Sequence, residues 1–274
     1  VQGIGASGNM LYMQTAQPHV FDEVSVDAGV NVGFWGWGTA AVDFEHDGDL
    51  DIVATNGQGS AFDDPNVLFL NNGDMTFTES AAAAGIDDEE LGRGLVTFDL
   101  ENDGDQDILI VPWDHQLIFY RNDLDNTNGW TRLFFDTSAV DALAPDGFGT
   151  RVHIHLSNGT TILRLLDGGS NYLSQSELSV HAGLGQSTID AIDVMWADGH
   201  TLTLAAVPAK RTWTISARHN CPGDWNLDGA LDIFDIIEYL SDLDAGHPQA
   251  DLNADGAADI FDILAYLNDF ASGC

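Results

Sequence analysis

Basic residues are scarce in this chain. Eight Lys and Arg side chains stand against 44 Asp and Glu, only Lys210 is a lysine, and the formal net charge is −36 at pH 7. A surface with so few cations is poorly suited to a polyanion, so we expect neither nucleic acid nor an anionic membrane as a partner. Cations are the natural counterparts, with a halophilic surface or a disordered acidic tail as alternatives.

Long apolar runs are also missing. No window approaches 18 consecutive apolar residues, so we expect no membrane insertion. The first residues, Val-Gln-Gly-Ile-Gly, lack the charged and apolar regions of a signal peptide, and we expect a removed signal or a truncated N-terminus. A hydrophobic fraction of 44% argues against a wholly disordered chain, and 274 residues suffice for about two domains.

Cysteine is rare, and its two occurrences, Cys221 and Cys274, bracket the C-terminal segment. In an oxidising compartment a disulfide between them would join the end of a small module to its beginning. Such a bond stabilises a fold by typically ~2 to 4 kcal/mol because it restricts the unfolded chain. We therefore predict this disulfide and a secreted protein, with two unrelated free thiols as the alternative.

A nine-residue acidic motif occurs twice. Residues 43–51 read Asp-Phe-Glu-His-Asp-Gly-Asp-Leu-Asp, and residues 99–107 read Asp-Leu-Glu-Asn-Asp-Gly-Asp-Gln-Asp. Short apolar runs of strand character flank the motifs, separated by Gly, Asn and Asp, at 52–54, 67–70, 108–111 and 117–120. These repeats predict blades of β-propeller type. About three units are too few to close a propeller, so we expect part of a longer one or completion by later strands.

The pattern changes twice further along the chain. Strand-like alternation continues at 151–156, 160–166, 189–196 and 201–206. After Cys221, two acidic loops are each followed by an apolar period near 3.6, which predicts helices at 233–243 and 260–270. The predicted fold is mainly β, with propeller-type repeats in 1–128, a further β region in 129–219 and a small α-helical module in 220–274.

The spacing of acids in the nine-residue motif suits calcium, which takes six to eight oxygen ligands. The motif places acids at positions 1, 3, 5 and 9, a backbone carbonyl at position 7 and a glycine that permits the turn. Without a cation the carboxylates would repel one another, although a solvated acidic turn is the alternative. The predicted ligands are Asp43, Glu45, Asp47, Asp49 and Asp51, and then Asp99, Glu101, Asp103, Asp105 and Asp107.

A twelve-residue version of the motif occurs twice near the C-terminus, and its paired loops are EF-hand-like. Position 12 is Asp where the EF-hand has Glu, and alanine stands at position 7, where a backbone carbonyl serves. Because each loop fixes the start of a helix, folding and metal binding should be coupled. We predict two more calcium ions, four in all, held by Asp224, Asn226, Asp228, Ala230, Asp232 and Asp235, and by Asp251, Asn253, Asp255, Ala257, Asp259 and Asp262.

Three stretches carry family resemblances. The nine-residue loops and their flanks resemble FG-GAP/VCBS repeats, the type found in integrin α-subunit propellers. The tail resembles a type I dockerin, in the form that ends Gly-Cys. Four segments between them resemble the ASPIC/UnbV domain of CRTAC-type proteins: Gly149-Thr-Arg-Val152, Ser170-Asn-Tyr-Leu-Ser-Gln175, His181-Ala-Gly-Leu-Gly185 and Trp196-Ala-Asp-Gly199.

The dockerin resemblance implies a cohesin-like protein partner. The two residues after the ninth loop position are apolar in both units, so both helices would offer the same contact pair: Ile233 and Phe234, and Ile260 and Phe261. Packing of these four residues in the core is the alternative. Their apolar character departs from the family, because dockerins commonly carry polar or basic recognition residues there.

Two further groups of side chains are candidates for binding. His153 and His155 share a strand face, but no third ligand is evident, so structural histidines are favoured over a transition-metal site. Four tryptophans near the repeat loops could stack against sugar rings, although packing in the core or between blades is favoured: Trp35, Trp37, Trp113 and Trp130.

The sequence thus predicts a secreted protein, extracellular or on the cell surface, that binds calcium and acts in adhesion or as a scaffold without catalysis. The propeller-type repeats would bind a protein or a glycan, and the dockerin-like module would anchor the chain. The alternative is a calcium-dependent enzyme, a cyclase or a polysaccharide-acting catalyst, delivered by its dockerin. A pair of carboxylates with divergent pKa values in a cleft would favour it.

Overall fold

The computed structural model of the chain describes residues 8–57, 64–167, 171–218 and 221–273. It is mainly β, as predicted: these residues form 16 strands and three α-helices. The chain divides into two compact units. The first contains residues 1–45, 49–126 and 168–177, and the second contains residues 46–48, 127–167 and 178–274.

The strands of the first unit form antiparallel sheets of the kind found in propeller blades. A hairpin, a four-stranded meander and a three-stranded meander follow one another along the chain. They are β1 (Tyr12–Gln14) and β2 (Phe21–Glu23); β3 (Gly36–Val42), β4 (Asp51–Asn56), β5 (Val67–Asn71) and β6 (Phe77–Glu79); and β7 (Gly92–Phe98), β8 (Asp107–Pro112) and β9 (Ile118–Tyr120). The short helix α1 (Ala81–Ala84) follows β6.

The core of the first unit lies where the two meanders contact each other. Val53 of β4, Leu95 of β7 and Ile110 of β8 are fully buried in one apolar cluster. All four apolar runs predicted to be strands lie in β4, β5, β8 and β9. Each nine-residue loop joins the first two strands of a meander, so the strand character predicted beside the loops is confirmed.

The β region of the second unit is a sandwich of two sheets. One sheet has the order β13-β10-β16, with β10 and β16 parallel, and the other is antiparallel with the order β12-β11-β14-β15. The strands are β10 (Gly129–Asp136), β11 (Arg151–Leu156), β12 (Thr161–Leu165), β13 (Val180–Gly185), β14 (Ile189–Met195), β15 (Thr201–Ala205) and β16 (Arg211–Ser216). One apolar cluster joins both sheets and includes Leu133, Val152, Ile192 and Ile215.

The predicted helices are present and extend two residues further than expected, as α2 (Ile233–Ala245) and α3 (Ile260–Ser272). A small core holds them together, in which the rings of Tyr239 and Tyr266 stack with centroids 4.1 Å apart. Cys221 is disulfide-bonded, and its predicted partner, Cys274, lies outside the described residues. Among the helices of the described ranges, none combines the length and the apolar character that crossing a bilayer requires.

Candidate metal-binding loops

All four acidic loops share one backbone conformation. Position 4 is left-handed in each loop although it is never glycine, and position 6 is a glycine with positive φ. Left-handed non-glycine residues are uncommon, so their recurrence at one position identifies a single loop type. The φ angles at position 4 are 57° for His46, 60° for Asn102, 61° for Leu227 and 55° for Ala254, and the glycines are Gly48, Gly104, Gly229 and Gly256.

A buried carboxylate closes each nine-residue loop. Asp51 accepts hydrogen bonds from the backbone N–H of Phe44 at 2.9 Å, in the loop, and of Asn71 at 2.8 Å, at the end of β5. Asp107 accepts the equivalent bonds at 3.0 and 2.9 Å, from the second loop residue and from a residue just after β9. Position 9 therefore ties the loop to the third strand of its meander.

The closing carboxylate of the first loop lies in an unfavourable environment for a bare charge. The pKa of Asp51 is raised to about 7, chiefly by burial; the backbone hydrogen bonds from Asn71 and Phe44 oppose the shift, and the charges of Asp43 and Glu45 add to it. Asp43, Asp99 and Asp107 are buried as well. Burying an ionised carboxylate is costly unless a partner compensates it, so a bound cation would relieve these loops.

In the twelve-residue loops the closing carboxylate stands at position 12 and belongs to a helix. Asp235 is fully buried, with Oδ1 accepting from Trp225 N at 2.9 Å and Asn226 N at 3.2 Å, and Oδ2 from Asp232 N at 2.8 Å. Asp262 accepts equivalent bonds from positions 3 and 9 of its own loop, at 3.2 and 2.9 Å. Both residues also complete capping boxes, so loop closure and helix initiation share one side chain.

The side chains at positions 1, 3 and 5 turn toward backbone amides. Asp224, Asn226 and Asp228 accept from the N–H groups two or five residues later, and the second loop repeats the same three bonds. One oxygen is left over, because Oδ1 of Asp224 is buried and has no hydrogen-bond partner. A set made only of oxygen donors, with one buried oxygen unsatisfied, fits a hard cation such as Ca²⁺.

In the described residues, the predicted carboxylates do not form complete metal-binding sites. Over the described ranges, no group of three or more His, Cys, Asp or Glu side chains converges in a metal-binding arrangement. The structure therefore supplies the loop backbone and the closing carboxylates, while the ligand sets stay predictions.

The four predicted contact residues lie on the surface. Ile233 is 58% exposed and Ile260 57%, and Phe234 and Phe261 are 61% and 63% exposed, so the alternative of core packing is wrong. The sequence interpretation missed that each pair continues along its helix as an exposed apolar row. The α2 row is Ile233, Phe234, Ile237 and Leu240, and the α3 row is Ile260, Phe261, Leu264 and Leu267.

One histidine of the β11 pair, His155, is accounted for by ordinary hydrogen bonds. The ring nitrogens of His155 lie 3.0 Å from Thr161 Oγ1 and 2.9 Å from an Asp193 carboxylate oxygen. Both nitrogens are thereby engaged, which agrees with the structural role favoured from the sequence.

The four tryptophans near the repeats divide into two classes. Trp130 is buried, as expected for core packing, and Trp37 is partly buried. Trp35 is 41% exposed and Trp113 65% exposed, so packing in a core is wrong for these two.

Two family models match segments of the chain. Residues 43–110 match the FG-GAP-like repeat, and residues 141–220 match ASPIC and UnbV. Both resemblances predicted from the motifs are thus confirmed. Neither match passes residue 220, so the dockerin resemblance stays a prediction.

Curated relatives carry the name cartilage acidic protein 1. The protein of Mus musculus is 28% identical over 165 residues, 58% of this chain and 25% of its own length, and that of Homo sapiens is 29% identical over 163 residues, 57% and 24%. The Xenopus tropicalis protein is 24% identical over 300 residues, 67% of this chain and 45% of its own length. The chain spans about a quarter of the length of the mouse and human relatives. It contains an FG-GAP-like repeat followed by an ASPIC and UnbV segment, and in this it is similar to cartilage acidic protein 1.

Proposed function

We propose that the protein is a secreted, non-catalytic scaffold or adhesion protein that calcium stabilises and that its C-terminal module anchors to a cohesin-like partner. The relatives are named for cartilage and for acidity, and this chain, with a net charge of −36, shares the acidity. The disulfide bond of Cys221 supports an oxidising, extracellular setting.

One observation carries the proposal: the C-terminal module consists of two copies of the same loop–helix unit. Each twelve-residue loop ends in a fully buried aspartate that also caps the helix after it, Asp235 in one copy and Asp262 in the other. Each helix then exposes the same apolar row. Since exposed apolar side chains in a continuous patch are typical of interaction sites, a duplicated patch supports a binding module.

Calcium would be held by the side-chain oxygens of the loops and by backbone carbonyls at position 7. The bound ion would supply positive charge among buried carboxylates. The chain's own residues would fix the conformation of the loop and initiate the strand or helix that follows. Because the unfolded chain lacks a formed site, binding adds to folding stability.

The apolar rows would form the anchoring surface. Two rows with nearly equal exposure allow either helix to face the same partner. Acidic residues flank the α2 row, where Glu238 and Asp244 are exposed. The partner surface should therefore combine an apolar centre with basic residues around it.

The calcium dependence of thermal unfolding tests the proposal. Extracellular calcium modules often have Kd values of ~10⁻⁴ to 10⁻³ M, so 10 mM Ca²⁺ should add roughly 1.4 to 2.7 kcal/mol per site. We expect calorimetry of the full chain to show a melting temperature several degrees higher in Ca²⁺ than in chelator, and ion analysis to find bound calcium in stoichiometric amount.

Two controls make the result specific. Magnesium at the same concentration should stabilise less, because Mg²⁺ requires a tighter octahedral site. The double variant Asp228→Ala, Asp255→Ala alters two of the four predicted sites and should lose about half of the shift, whereas Asp190→Ala, an exposed aspartate outside the loops, should keep it. An unchanged melting temperature, together with no bound calcium, would reject the proposal.

A further inference from the structure

The tryptophans of the chain are unevenly distributed. Four of the seven are buried: Trp130, Trp196, Trp213 and Trp225. The other three, Trp35, Trp37 and Trp113, belong to the first unit and are partly or largely exposed. Tryptophan carries so much apolar area that exposure of this degree favours a binding role over a packing role.

An arginine holds this aromatic surface in place. The guanidinium carbon of Arg93 lies 4.2 Å from the ring centroid of Trp37 and 6.0 Å from that of Trp113. Its Nη1 donates to the carbonyl of Gly57 at 3.0 Å, and Nε1 of Trp37 donates to the same oxygen at 2.7 Å. Arg93 is thus fixed by hydrogen bonds and by cation–π contact, which orients both indole rings.

A tyrosine from a distant part of the chain extends the surface. The ring centroid of Tyr172 lies 4.9 Å from that of Trp37. Asn171 and Ser174 attach this turn to β7, donating to the carbonyl of Leu95 at 2.7 and 2.8 Å. We define the tryptophan platform as Trp37, Arg93, Trp113 and Tyr172.

A polar cleft that is open to solvent begins directly after Trp113 in the chain. It has a volume of about 740 Å³, and Glu90, Asp114, His115 and Gln116 contribute to its wall. His115 Nδ1 lies 2.9 Å from a Glu90 carboxylate oxygen. Asp114 is left-handed, with φ 63°, and forms the turn that leaves Trp113 in solvent. Cavities of ~300 to 1,000 Å³ are typical of sites for small organic ligands.

We infer that the tryptophan platform binds a neutral pyranose glycan; this rests on the proposed adhesion role and on the binding function predicted for the repeats, and it names the ligand class. Exposed indole faces suit the apolar face of a sugar ring, and the adjacent carboxylates, amide and imidazole can hydrogen-bond hydroxyl groups. A cationic ligand is disfavoured because Arg93 already occupies the Trp37 face. A polyanionic glycan is disfavoured because the net charge is −36.

The platform is separate from the nine-residue metal loops. Trp37 and Arg93 lie near the starts of β3 and β7, whereas the nine-residue loops follow the ends of these seven-residue strands. A strand of this length spans about 20 Å, so a change in the platform leaves the loops untouched.

Binding of defined hexasaccharides to the full chain tests the inference. Isothermal titration calorimetry in calcium buffer would use cellohexaose, chitohexaose, mannohexaose and xylohexaose, with an alginate hexasaccharide as the polyanion. We expect at least one neutral probe to bind with a Kd of roughly 10 μM to 1 mM, and the polyanion not to bind. Trp113→Ala should weaken that binding roughly tenfold or more, the equivalent of losing one aromatic stacking contact.

The matched control is Leu163→Ala, which removes an exposed apolar side chain from the second unit and should leave binding unchanged. No binding by any neutral probe at millimolar concentration overturns the inference, as does equal binding by the Trp113→Ala variant. Self-association of the chain that Trp113→Ala abolishes would also overturn it, by making the platform a protein contact. Calcium-dependent melting of the same samples reports on the proposed function separately, because it does not require the platform.

Discussion

The two kinds of acidic loop begin alike and end differently. Both have a left-handed residue at position 4, a glycine at position 6 and a buried carboxylate that accepts from the amide groups near the loop start. In the nine-residue loops this carboxylate, Asp51 or Asp107, also accepts from the third strand. In the twelve-residue loops, Asp235 or Asp262 caps a helix instead.

The difference shows what each loop depends on. A nine-residue loop joins strands that are already paired over several residues, so its hairpin keeps cross-strand hydrogen bonds without the loop. A twelve-residue loop precedes a 13-residue helix, and isolated helices of this length are marginal in water. We therefore expect the helical module to depend on its closing carboxylates far more than the meanders do.

Matched substitutions of the closing carboxylate should give the largest effect. Asp235→Ala removes three backbone hydrogen bonds, one of which completes the capping box, so we expect a loss of roughly 3 kcal/mol. Asp107→Ala removes two bonds from a paired hairpin, and we expect about 2 kcal/mol. Hydrogen exchange should show lost protection throughout α2 in the first variant, and only near the loop in the second.

Asp123→Ala, which changes an exposed aspartate after β9, is the control and should alter neither pattern. Equal loss of protection in β8 and in α2 would contradict the distinction between the two loop types.

The duplicated rows should give an intermediate effect. With a panel of type I cohesin modules as probes, we expect Phe234→Ala or Phe261→Ala alone to change the Kd of a binding module by about threefold or less, because the other row remains. The double variant should weaken binding roughly a hundredfold, as expected for loss of the central aromatic anchors. Titration calorimetry measures both, with Leu173→Ala, a surface substitution in the first unit, as control. Loss of binding in one single variant alone would show that a single row docks.

The smallest effect should come from pH. His247 is partly buried beside β16, with Nε2 3.1 Å from the carbonyl of Thr214 and Nδ1 accepting from Gln249 N at 3.3 Å. Burial lowers its pKa and Arg218 lowers it further, while Asp242 opposes the shift. The folded state then binds fewer protons, so the contribution is complete above the unfolded pKa of about 6.5 and declines as pH falls below it.

Denaturant unfolding at pH 7 and pH 5 measures the contribution of His247 to the free energy of unfolding. We expect the parent chain to lose more stability over this interval than His247→Asn, which cannot titrate. His200→Asn, at an exposed histidine, should behave like the parent. If His247→Asn left the pH dependence of stability unchanged, His247 would not be its cause.

Much of the fold could be predicted because the decisive patterns are local. The two helices follow from apolar spacing after a capping aspartate, and the strands β4, β5, β8 and β9 follow from apolar runs between turn residues. The parallel pairing of β10 with β16 could not be predicted, since these strands are far apart in sequence and carry no mark of their partner.

The candidate sites were predictable to different degrees. Loop positions follow from fixed spacing, so the acidic residues could be named one by one. The exposed rows were only half identified, because apolar period alone does not tell which face of a helix is covered. The platform joins Trp37, Arg93 and Tyr172 from separate segments, and no local pattern links them.

The turn that carries Tyr172 belongs to the first unit although the chain on both sides belongs to the second. A fragment ending at residue 128 would leave the carbonyl of Leu95 without Asn171 and Ser174, and Trp37 without its neighbouring ring. The repeats and the sandwich are therefore interleaved along the gene, and recombination between them would have to transfer both regions together.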